Sequence, residues 1–240
     1  MPEARASVAV LACGALAREI KDILAINKLE HVTLKCLPAK LHNHPEKIPG
    51  RVAEAIDALR PDYGTIVVAY GDCGTGGALD RVLTEKGVSR IAGPHCYSFF
   101  SGNEAFAANQ DDDVTSFYLT DFLARQFETL IVKPLWLDTH PELLPAYFGH
   151  YEKLVYLAQT GNSELDAKAK KAASFLGLDF ERRDVGYGDL TDLLTSLPGP
   201  DTDVEPKGAS ERISGYGPPS QPALVGQVGN HPCNVADAPL

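Results

Sequence analysis

Thr65-Ile66-Val67-Val68-Ala69 runs directly into Tyr70-Gly71-Asp72-Cys73-Gly74-Thr75-Gly76-Gly77. The apolar run is too short for a helix and rich in β-branched residues, and glycines close it, so it reads as a buried strand ending in a tight turn. Units of the same kind lie on either side. Ser7 to Cys13 is a second apolar run, and Gly14 turns the chain into a helix carrying Leu16, Ile20, Ile23 and Leu24 at helical spacing. Val32 to Leu37 is another strand, stopped by Pro38. A helix then carries Val52, Ala55, Ile56 and Leu59 on one face. After the Gly-rich turn come a short helix, Leu79 to Lys86, and a short strand, Arg90 to Ala92, leading to His95-Cys96.

This alternation of strand and helix predicts a three-layer α/β fold with a mostly parallel sheet. The unbroken apolar strands agree, because parallel strands are covered on both faces. In such sheets the ligand crevice lies at the carboxyl ends of the strands.

The middle of the chain is less regular. Asp111, Asp112 and Asp113 read as an acidic turn, and Asp121 as the N-cap of a helix over Phe122 to Leu130. Pro134 to Pro141 reads as a loop that can fold over the sheet. Strand character returns at Lys153 to Ala158, an amphipathic helix follows at Ser163 to Leu176, and a last strand and helix are expected at Phe180 to Val185 and Leu190 to Leu197. From Pro198 to Leu240 the chain is crowded with Pro, Gly, Ser and Asp and loses its apolar period. The expected organisation is one α/β domain over 1–197 and a tail over 198–240 that is disordered or packs on another subunit of a homo-oligomer.

The 240 residues are 44% hydrophobic and 22% charged, an ordinary globular balance. Lys and Arg number 22 against 32 Asp and Glu, so the net charge is 22 − 32 = −10. That surface repels phosphate backbones and argues against a nucleic-acid partner. No segment approaches the roughly 20 apolar residues of a membrane span, and the amino-terminal residues lack the pattern of a signal peptide. The five cysteines are odd in number and irregularly spaced, which fits reduced thiols in the cytoplasm.

Four of them, Cys13, Cys36, Cys73 and Cys96, sit where a strand gives way to a loop; Cys233 lies in the tail and is set aside. The glycines of the turn, Gly71, Gly74 and Gly76, suit a cradle for a phosphate-bearing cofactor, and equally a plain tight turn. They match neither the P-loop nor the dinucleotide fingerprint. Cys73, close to a helix start, is placed for thiolate chemistry, with the packed apolar thiol as the alternative. His95 and Cys96, at a strand end, can both face the crevice. With Cys73 they offer two sulfurs and a nitrogen, and His42, Cys13 or a water offers a fourth position, the pattern of catalytic zinc. The expected metal ligands are therefore Cys73, Cys96, His95 and His42. The expected catalytic groups are Cys73, His95 and Asp72, the last orienting a ligand. His44 reads as solvated, Asp138, His140 and Glu142 as an ordinary helix start, and Cys13 and Cys36 as core.

Leu41-His42-Asn43-His44-Pro45-Glu46-Lys47-Ile48-Pro49, Tyr70-Gly71-Asp72-Cys73-Gly74 and His95-Cys96 with Gly102, together with Cys13 and Phe117-Tyr118-Leu119-Thr120, resemble the prokaryotic family called domain of unknown function 1638 over residues 7–195. The usual family pattern has His-Asp-Cys where this chain has His95-Cys96. Members of the family often accompany corrinoid-dependent methyltransferase systems, so the resemblance implies one-carbon or methyl-transfer metabolism. The combined expectation is a cytoplasmic zinc-dependent enzyme, a transferase or hydrolase, acting on a small-molecule substrate. Two alternatives stand beside it. One is a non-catalytic accessory protein that docks a corrinoid or folate methyltransferase partner. The other is a metal-free enzyme with Cys73 as nucleophile and His95 as base.

Overall fold

The computed structural model describes residues 7–199. Its elements in chain order are β1 (Val8–Cys13), α1 (Ala17–Ile26), β2 (Val32–Leu37), α2 (Ile48–Leu59), β3 (Thr65–Ala69), α3 (Ala78–Lys86), β4 (Ser89–Arg90), α4 (Cys96–Ser101) and α5 (Asn103–Ala108). They continue with β5 (Ser116–Thr120), α6 (Asp121–Phe127), α7 (Leu144–Phe148), β6 (Lys153–Ala158), α8 (Ser163–Leu176), β7 (Asp179–Asp184) and α9 (Gly188–Thr195). The fold is α/β with parallel strand pairing throughout the described residues, as the sequence predicts. The strands expected in one sheet form two, of four and three strands. The described residues also fall into two compact units, 7–96 with 190–199 and 97–189. Of the expected tail, residues 200–240 lie outside the described residues.

In the first unit the strand order is β2-β1-β3-β4. β1 has Val8 opposite Val32 on one side and Val8 opposite Thr65 on the other, so it is an inner strand. All six of its residues are buried. Such a strand must be apolar at every position, which explains why Val8-Ala9-Val10-Leu11-Ala12 shows no alternation. α2 turns Ile48, Val52, Ile56 and Leu59 into the core, each worth roughly 1.5–3 kcal/mol when fully buried. Because β1 leads to β2 on one flank and β3 lies on the other, the chain reverses direction across the sheet between β1 and β3. That reversal is a topological switch point, where open α/β sheets hold their ligands.

The second unit carries β5-β6-β7. Its core joins Leu119, Leu154 and Tyr156 to Leu165, Ala169, Ala172 and Leu176 of α8 and to Phe127 and Phe148. Asn162 caps α8, accepting from the amides of Glu164 and Leu165, and Gly177 ends it in the left-handed region at φ 71°.

Two acidic residues behave differently from the expectation. Thr120, not Asp121, caps α6, its Oγ1 accepting from the Leu123 amide at 3.3 Å. Asp121 is fully buried and accepts hydrogen bonds from Tyr156 Oη at 2.7 Å, Thr160 Oγ1 at 2.6 Å and the Gln159 amide at 3.2 Å. α6 itself gives way to a π-helical turn, Glu128–Val132. Asp113, the end of the acidic turn, is also buried. Arg183 grips it with both guanidinium nitrogens, at 2.5 and 2.8 Å, while Tyr118 Oη donates at 2.7 Å and Lys153 Nζ lies at 3.0 Å.

Burial pushes the Asp113 carboxyl up, and the Arg183, Tyr118 and Lys153 partners overcome it, holding the group well below the carboxylate range. A carboxyl depressed in the folded state stabilises fully above its unfolded pKa of about 3.9 and loses that contribution as pH falls through the folded value. Acid unfolding of this unit should therefore begin below about pH 4. Asp113→Asn, which leaves Arg183 without its counter-charge, should cost about 3–5 kcal/mol at pH 7 and flatten the acid limb. Urea titrations across pH measure both; an unchanged acid limb in the variant rejects the assignment.

Candidate functional site

Cys13 ends β1, and its sulfur accepts from the Ala15 amide at 3.4 Å, turning the chain into α1. Beyond β2, Pro38 ends the strand and a 3₁₀ turn over Ala39–Asn43 carries His42 back toward the sheet. His42 Nδ1 lies 3.1 Å from the Ala39 carbonyl oxygen and 3.6 Å from Cys13 Sγ. A carbonyl only accepts, so Nδ1 carries the proton and Nε2 keeps its lone pair in the neutral ring. Cys73 lies near enough to the same ring to favour its charged form. On one side the imidazole runs nearly parallel to Tyr70, with ring centroids 6.5 Å apart at 16°.

The loop after β3 is built by Asp72. Its carboxylate accepts from Thr75 Oγ1 at 2.7 Å and from the amides of Gly76 at 3.1 Å and Gly77 at 2.8 Å. Burial opposes the charge, but these donors and Arg90 hold the carboxyl below its usual range. The side chain expected to act in catalysis thus spends its hydrogen bonds on shaping the turn. The Gly76 amide that a phosphate would need is already taken, and Gly74 and Gly76 serve positive φ values of 84° and 59°. The tight-turn reading accounts for these glycines.

Gly71 has a different task. A Cβ there would lie 2.6 Å from His95 Cα and 2.8 Å from His95 N, so only glycine lets the 93–96 segment lie against the end of β3. That approach is stitched by Asp72 N donating to Gly93 O at 3.3 Å and Cys73 N to Pro94 O at 2.9 Å. Arg90, to which the sequence alone assigns no role, closes the same corner. Its Nη1 donates to the carbonyls of Tyr70, Ile91 and Gly93 at 3.4, 2.8 and 3.1 Å, and Asp80 pairs with it at 2.6 Å. A long cation ending a short strand beside Gly93-Pro94 is the signal that points to it. Cys73 itself sits at φ 49°, a left-handed conformation that a side chain with a Cβ adopts at a cost of order 1–3 kcal/mol.

The two histidines titrate in opposite directions. Loss of water disfavours charge on His42, yet the Cys13 and Cys73 thiols raise its pKa well above 6.5. His95 is pushed down to about 4, by desolvation and then by the neighbouring His42, so it is neutral at pH 7. Cys96, at the start of α4, is pushed up to about 12, first by desolvation and then by Cys73. These couplings tie Cys13, His42, Cys73, His95 and Cys96 into one cluster at the switch point. Of the expected residues, Cys73, His42, His95 and Cys96 belong to it. Cys13 is in the core, as expected, and its sulfur also touches His42. Cys36, expected in the core, is half-buried, and its thiol is raised to about 11, chiefly by burial and then by Cys13. His44 instead faces Glu46 at 3.4 Å, an exposed pair. His140 pairs with Glu142 at 2.9 Å in the second unit, also exposed. Among the described residues, no group of three or more His, Cys, Asp or Glu side chains is arranged to hold a metal ion as it stands.

The first unit is thus a doubly wound α/β module with a thiol–imidazole cluster at its switch point. The chain belongs to the DUF1638 family, described as proteins of unknown function, whose model matches residues 36–194. The match begins at Cys36, so β1 and Cys13 lie before it. No curated protein and no solved structure matches the chain. Among the described residues no helix is long and apolar enough to cross a membrane.

Gly71→Ala tests how the cluster is held. Its Cβ must displace the His95 backbone, an overpacking worth about 1–3 kcal/mol, whereas Gly64→Ala meets nothing within 4 Å. Denaturant midpoints should fall for the first variant alone. Equal midpoints contradict the close approach.

Proposed function

We propose that the chain is a cytoplasmic enzyme of one-carbon or corrinoid-linked methyl-transfer metabolism that works through the switch-point cluster, with zinc as its metal. The observation that carries the site is that one imidazole, His42, lies 3.6 Å from the Cys13 sulfur at one strand end and has its charge favoured by Cys73 beyond another. The donor set of thiolates and imidazoles suits zinc in kind. In placement the side chains must turn inward before three of them share an ion, a rotamer change open to loop residues that are half-buried. Cys73, Cys96, His95 and His42 would hold the metal, and Cys13 lies next to them. With the Ala39 carbonyl holding the Nδ1 proton, Nε2 would be the ligating atom once a metal displaces the second proton of the ring, as with an outer partner of a metal-bound histidine. His95, kept neutral, has a lone pair free of protons at pH 7. Asp72 and Arg90 hold the two loops in register. Zinc in such a site supplies a Lewis acid for a bound thiol, water or carbonyl. The methyl-transfer assignment rests on the family resemblance.

A metal-free reading is favoured by one feature, the pairing of His42 with thiols that raises its pKa. Cys73 then acts as a nucleophile activated by His42, a different base from the His95 expected from sequence.

Metal content separates the readings. Purified full-length protein should hold about one zinc per chain, and a Cys73→Ser/Cys96→Ser variant about none. Equal, negligible metal in both rejects the zinc reading. In that case iodoacetamide should label Cys73 about tenfold more slowly in His42→Asn at pH 7; unchanged labelling rejects the nucleophile reading too. Retention of a corrinoid protein or folate methyltransferase by a tagged, metal-free and inactive chain would favour the accessory alternative.

A further inference from the structure

Tyr70 follows β3 directly and is 1% exposed, among the most enclosed large side chains of the protein. Its ring packs along His42, and its hydroxyl neighbours the Cys13 and Cys73 thiols. Among the described residues that hydroxyl has no hydrogen-bond partner of good geometry. A buried hydroxyl without a partner is costly, and phenylalanine fills the same volume without the penalty. Thiol sulfur is a weak acceptor, and its presence beside the phenol does not satisfy it. The other buried phenol at a strand position shows the normal solution, since Tyr156 Oη donates to Asp121 at 2.7 Å.

We infer that Tyr70 Oη is the hydrogen-bond donor for a small ligand that enters the switch-point cluster and presents an acceptor oxygen, a carboxylate or carbonyl. The inference rests on the proposed function for the location of the site, and it adds the ligand class and a positioning residue. Tyr70 acts as a positioning residue that orients the oxygen beside the Cys13 and Cys73 thiols.

The test uses full-length wild type, Tyr70→Phe and Cys73→Ser, with formate as the probe. Binding is read by broadening of the ¹³C-formate resonance, and metal content is measured on each sample. Wild type should bind formate and gain thermal stability from it. Tyr70→Phe should keep its metal content, match or exceed the wild-type melting temperature without ligand, and bind formate about tenfold more weakly. Equal affinity in Tyr70→Phe overturns the inference, as does the absence of formate binding by wild type. A Tyr70→Phe chain that is less stable without ligand and equal in affinity marks the hydroxyl as structural and also overturns it. Tighter formate binding by wild type than by Tyr70→Phe when both are purified without metal sinks the zinc reading and leaves this inference standing.

Discussion

The parallel pairing of β1 with β2 on one edge and β3 on the other governs the first unit. It sets three strand ends side by side at one rim of the sheet. The segments leaving those ends must then share a small volume: the turn after Cys13, the 3₁₀ turn bearing His42, and the loop bearing Cys73. Residues from widely separated parts of the chain meet because the ladder leaves them nowhere else to go. The hydrophobic burial of β1 stabilises this arrangement.

Two local devices sharpen that convergence. Gly71 removes a Cβ from the path of the His95 backbone, and Asp72 folds the following glycines into a turn around its own carboxylate. Together they bring His95-Cys96 toward Cys73. Arg90 binds both loops through their carbonyls. The left-handed backbone at Cys73 fits the same picture, since strain held in place by surrounding bonds is characteristic of residues positioned for chemistry.

Much of this is legible in the sequence. The strands Val32–Leu37, Thr65–Ala69 and Lys153–Ala158 and the helix Ser163–Leu176 follow from apolar runs and helical spacing, and their ends are marked by Pro38, the Gly-rich turn and Asn162. The division into two sheets is not legible, because strand pairing across the Tyr97–Tyr151 stretch depends on partners distant in sequence. β5 escapes a reading by pattern since Ser116-Phe117-Tyr118-Leu119-Thr120 mixes polar and aromatic residues. Asp113 and Asp121 look like surface acids, and only their tertiary partners, Arg183 and Tyr156, show why they are inside. In the cluster the residue types are readable, but not that Cys13 touches His42, nor that the Asp72 carboxylate is engaged within its own loop.

The most direct measurement is a crystal structure of the full chain with anomalous data collected on both sides of the zinc absorption edge. The His42 ring should lie between the sulfurs of Cys13 and Cys73, with the edge-dependent peak beside them. Sulfurs that face opposite sides of the sheet, or a His42 ring turned into solvent away from both, would contradict the convergence of the strand ends on one site.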